Sequence, residues 1–73
     1  MRATAEQQHN AGMMLQEIAD QCREINPALD NKLALKVAMM MNPSIAEKYL
    51  GCAVRRDAID DGKRILMNYQ VPR

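Results

Sequence analysis

The sequence predicts an all-α protein: a small three-helix bundle, or an extended helical hairpin, organised around one central buried helix. Three observations point there. Residues 26–44 form an apolar run bounded at both ends by Asn-Pro. On a helical wheel, Leu29, Leu33, Leu35, Val37, Met39, Met40 and Met41 cover most of the circle and leave Lys32 and Lys36 as the one clear polar strip. A helix apolar on most sides is a buried helix. On either side of this run, apolar residues recur at spacings of three and four rather than alternating as in a strand. Finally, 73 residues with no Phe and no Trp allow one small aliphatic domain, near the lower limit for a self-sufficient core.

The first helix is expected over residues 3–25. Ala11, Leu15, Ile18, Cys22 and Ile25 make its apolar stripe, Met13 and Met14 flank it, and Glu17, Asp20, Arg23 and Glu24 fall on other faces. Residues 1–10 have little to bury and are expected to fray. Gly12 weakens the helix by about 1 kcal/mol against Ala.

The second helix is expected over residues 27–41. Asn26 would cap it by accepting a bond from an orphan N–H, and Pro27 would sit at the first helical position, where its missing N–H costs nothing. Asn42-Pro43 ends this helix and starts the next, with Ser44 and Glu47 at capping-box spacing as an alternative start.

The third helix is expected to continue to about residue 69 on the stripe Ile45, Tyr49, Cys52, Ile59, Gly62, Leu66 and Tyr69, interrupted at its edge by Arg56. Asp60 and Arg64 form an acid-first pair one turn apart. Gly62 is the weak point: it ends the helix, kinks it, or lets a second helix approach closely. Residues 70–73 read as a tail. The two Asn-Pro-small-aliphatic runs, at Asn26 and Asn42, need no more than shared capping chemistry.

Composition narrows the function. The net charge is +1, with two cations and four anions in residues 1–26 and eight cations and five anions in residues 27–73. That balance exerts no overall pull toward nucleic acid or membrane. No apolar run approaches a membrane span and the first residues lack a signal-peptide core, so a cytoplasmic protein is expected. His9 is the sole histidine and reads as solvated; with two cysteines it offers no metal-ligand spacing, and the three glycines stand apart rather than forming a phosphate loop. Cys22 and Cys52 both fall on predicted core stripes and read as buried thiols, with Arg55 and Arg56 near Cys52 a weak hint of thiolate activation. A disulfide between the two under oxidation stays open. Asp57, Asp60 and Asp61, interleaved with Arg55, Arg56, Lys63 and Arg64, read as a solvated face rather than a paired-carboxylate site. No enzyme, no cofactor and no metal is expected.

Macromolecular binding is left. Seven methionines suit first a flexible core filling and second an adaptable binding surface. The favoured reading is a small helical interaction protein, an adaptor or inhibitor acting on a larger protein, of the kind frequent among accessory proteins of phages and mobile elements; that last step is an association from size and class. The alternative is a small transcriptional regulator. Residues 27–56 resemble a helix-turn-helix unit in their short turn at Asn42-Pro43 and in Ala38 at the close-packing position, with residues 44–56 as the reading helix and Lys48, Arg55 and Arg56 as its contacts. However, Lys48 falls where that unit needs a buried residue. A second frame, Ile45-Ala46-Glu47-Lys48-Tyr49-Leu50-Gly51-Cys52, resembles the same motif with one residue too many between Ala46 and Gly51, requires a break inside the third helix, and puts Asp57 where an apolar residue belongs.

The partner surface is expected on the second half of helix 3. A helix of about 25 residues spans about 37 Å and one of about 15 residues about 22 Å, so helix 3 would outrun helix 2 by roughly 15 Å. That overhang would carry Ile65, Leu66, Met67 and Tyr69, with Ile59 and Gly62 leading into it, and contiguous exposed apolar surface marks an interface. A two-fold homodimer through it is the expected assembly.

Overall fold

The computed structural model describes residues 4–72. They form four helices: α1 (Ala5–Ile25), α2 (Asn31–Met41), α3 (Pro43–Leu50) and α4 (Ile59–Asn68). The all-α expectation holds, and no helix among the described residues is long and apolar enough to cross a membrane. The long third helix, by contrast, is two separate helices.

α1 starts on a capping box. Thr4 Oγ1 accepts a hydrogen bond from the Gln7 N–H at 3.1 Å, and Gln7 Oε1 accepts one from the Thr4 N–H at 2.9 Å, which satisfies two orphan donors at once. Residues 5–10 are thus helical rather than frayed, a correction; residues 1–3 lie outside the described residues. The buried stripe of α1 is Ala11, Leu15, Ala19 and Cys22. Ile25, expected on that stripe, is 60 % exposed, because the helix ends there and turns away.

Asn26 does not cap the next helix. Its own N–H closes α1 by donating to the Cys22 carbonyl at 2.8 Å. Its side-chain amide donates to the Leu66 and Tyr69 carbonyls, at 3.0 Å each, and its Oδ1 accepts from the Ala28 N–H at 3.1 Å. Helix α2 instead starts four residues later, where Asp30 Oδ1 accepts from the Leu33 N–H at 2.7 Å. The expected start at Pro27 is corrected accordingly: Asn26 Oδ1 does accept the Ala28 N–H, but residues 27–28 form a turn and not the first turn of a helix.

α2 packs against the other three helices, as α1 also does. Ala34, Val37 and Ala38 are its most buried residues, while Lys32 and Lys36 are exposed, as the wheel predicted. Asn42 alone separates α2 from α3. Its side chain donates back to the Ala38 carbonyl at 2.9 Å, and Pro43 occupies the first turn of α3. The Ser44–Glu47 box is not used.

Gly51 ends α3. It takes the left-handed conformation, φ 74° and ψ 19°, and its N–H donates to the Glu47 carbonyl at 2.8 Å. Glycine adopts that conformation without the clash a Cβ would cause, and it is the usual way a helix is closed. Residues 51–58 then carry the chain to α4, which packs mainly on α2. The core joins Leu15, Ala19 and Cys22 of α1, Leu29, Ala34, Val37 and Ala38 around α2, and Leu66 of α4. Alanines make up three of these eight residues, so the helices approach closely where their side chains are smallest.

Candidate protein-interaction surface

The overhang that was to carry the partner surface is absent, because the chain breaks at Gly51 and folds back. Gly62 and Leu66 are buried, Ile65 and Tyr69 pack against the core, and Ile59 is half-buried. Of the three options open for Gly62, close approach is the one adopted: a Cβ built there would lie 2.9 Å from Met41 Cγ and 3.0 Å from Met40 Cβ. Gly62 thus seats α4 on α2, while Met67 of the expected patch stays exposed.

The residues of the DNA-reading alternative are also distributed differently from expectation. The helix expected over residues 44–56 stops at Leu50, so Arg55 and Arg56 lie in the following segment. Arg56 donates to Glu47 Oε1 at 2.9 Å and to Ser44 Oγ at 3.3 Å. Arg55 makes a two-pronged ion pair with Asp57, Nε to Oδ1 at 3.0 Å and Nη2 to Oδ2 at 2.8 Å. Those bonds hold the Asp57 carboxyl below the usual carboxylate range and push the Arg55 guanidinium further up. Lys48 is exposed in the last turn of α3. The break that the second motif frame required does occur, at Gly51, but the next helix begins only at Ile59 and packs on α2, whereas α3 packs mainly on α1. Two smaller corrections belong here: Arg64 approaches Asp61, at 3.5 Å, rather than Asp60, and Cys52 is exposed while Cys22 is buried. Burial pushes the Cys22 thiol up.

The break at Gly51 creates a different surface. An open groove of about 260 Å³ lies between the outer side of α2, α3 and residues 54–58. Met39 and Met40 line it from α2, Ala46 and Leu50 from α3, and Val54 and Ala58 from the connecting segment, with Lys36 and Arg55 among the same lining residues. Leu50 is 50 % exposed, and its neighbour Tyr49 also shows much of its ring to solvent. A second apolar area flanks α1, where Met13 and Met14 are exposed and Met14 adjoins Ile45 and Lys48. Sequence reasoning overlooked Leu50, Val54 and Ala58. The available signal was Gly51 itself, which is one possible helix stop; a stop there turns the next segment into a wall.

Among the described residues, no group of three or more His, Cys, Asp or Glu converges as metal ligands would. The chain matches no protein-family model, no curated protein and no solved structure.

Proposed function

We propose that this protein is a small helical interaction module that acts by binding a larger protein, as an adaptor or an inhibitor. The observation that supports this reading is the groove walled by α2, α3 and residues 54–58, with Leu50 half-exposed above Met39 and Met40. Large apolar side chains gathered at an open concave surface favour association, since covering them removes apolar area from water at roughly 25 cal/mol per Å². Methionine thioethers there can repack around a partner. The protein-binding reading is preferred to DNA reading because Arg55 and Arg56 are engaged with Asp57, Glu47 and Ser44, which leaves less charge for phosphate.

A photo-reactive amino acid at position 50, introduced in the cells that make the protein, tests the proposal. A discrete protein adduct, resistant to nuclease and absent when the label sits at the exposed Asp20, is the expected result. Adducts to nucleic acid alone, or no adduct at all, would overturn it.

A further inference from the structure

The charges around the groove identify the kind of partner. Its lining includes two cations, Lys36 and Arg55; Arg55 is paired with Asp57, so among the described residues Lys36 is the unpaired charge of the lining. Lys32 lies one turn before Lys36 on the exposed strip of α2, and neither lysine is in an ion pair among the described residues. Like charges one turn apart destabilise a helix by a few tenths of a kcal/mol, a cost that an incoming anion relieves. At about 260 Å³ the groove is smaller than the roughly 300–1,000 Å³ of a small-molecule site, and Leu50 on its wall is half-exposed. It suits a few side chains of a polypeptide. No described residue is in a strand, so there is no sheet edge for an extended peptide to join; a furrow between helices is the setting for a helix laid in a groove.

We infer that the groove receives an acidic amphipathic helix of a partner protein, whose apolar residues rest on Met39, Met40, Leu50 and Val54 while its carboxylates face Lys32 and Lys36. This rests on the protein-interaction reading above and names the partner's chemistry. Arg55 stays paired with Asp57 at the other side and contributes less than the two lysines.

The test is selection from a displayed library of peptides of about fifteen residues, a length at which isolated helices are marginal in water, panned against the full chain. The selected peptides are then resynthesised and their affinities measured by fluorescence anisotropy. Wild type should enrich sequences that combine Asp or Glu with Leu, Ile, Met or Phe at spacings of three and four, and binding should weaken with added salt. Leu50→Gln should weaken it about tenfold, equivalent to about 1.4 kcal/mol. The double variant Lys32→Glu with Lys36→Glu should lose the acidic peptides and, panned afresh, select Lys- and Arg-containing ones. All three positions are exposed, and circular dichroism confirms that the variants are folded.

Selected peptides that lack acids, or that are insensitive to both variants, would overturn the inference while leaving a protein-binding role standing. A sedimenting dimer that Leu50→Gln dissociates would assign the groove to a second copy and overturn it equally. No selected peptide together with no protein adduct at position 50 would remove both readings.

Discussion

Gly62→Ala tests the packing of α4 on α2, and with it the reason this chain has no exposed overhang. In an isolated helix interior the change is favourable by about 1 kcal/mol, because alanine loses less backbone entropy than glycine. Here the new methyl would lie 2.9 Å from Met41 Cγ, 3.0 Å from Met40 Cβ and 3.5 Å from the Met41 backbone nitrogen. The Met41 side chain is flexible and can swing aside. Met40 Cβ is fixed to the α2 backbone, so relief there requires the two helices to separate by a few tenths of an ångström. Overpacking of this kind costs about 1–3 kcal/mol. Subtracting the propensity gain leaves a net loss of about 1 kcal/mol, which for a domain this small lowers the melting temperature by roughly 4–8 °C. Gly12→Ala is the internal control. There the methyl would meet Tyr49 Cε1 at 3.0 Å and Cδ1 at 3.2 Å, but that ring is half-exposed and can move into solvent. Urea and thermal unfolding followed by far-UV circular dichroism should rank Gly12→Ala at or above wild type and Gly62→Ala below it. A Gly62→Ala variant as stable as wild type would refute the close approach of α4 to α2.

Asn26→Ala removes both side-chain bonds to the end of α4 and should cost about 1–3 kcal/mol. Amide exchange should then quicken in α4 more than in α1, because those bonds tether α4 and not α1. Asp30→Ala should cost about 1 kcal/mol in chemical denaturation through loss of the α2 cap. In native protein a disulfide reagent should titrate Cys52 quickly and Cys22 only after denaturant is added, since Cys22 is buried and its thiol is held protonated. The Asp57 carboxyl should titrate below the usual carboxylate range in an NMR pH series and return toward it in Arg55→Ala. Its pKa is depressed in the folded state, so the ordering it lends to residues 54–58 is present above the unfolded-chain value and is lost as pH falls through the folded one.

The all-α class, the exposed Lys32–Lys36 strip of α2 and the boundary at Asn42-Pro43 were legible in the sequence, because each follows from local chemistry: apolar period, side-chain charge and the geometry of proline. The capping box at Thr4 and Gln7 and the cap at Asp30 were equally local, but Asn26-Pro27 offered a competing helix start. Choosing between Asp30 and Asn26 required knowing that residues 27–28 form a turn, which lets the Asn26 amide nitrogen reach carbonyls forty and forty-three residues away. The two glycines show the same limit. Gly51 and Gly62 each stand within an apolar-periodic stretch, and glycine serves equally as a left-handed stop or as a point of close contact. Tertiary structure makes Gly51 the stop and Gly62 the contact: folding back at Gly51 buries Leu66 and seats Gly62 on Met40 and Met41, whereas a continuous helix would leave that apolar face in water. The groove follows from that choice. Its walls come from α2, α3 and the segment after the break, so it exists only once the chain has turned, and no spacing along the sequence encodes it.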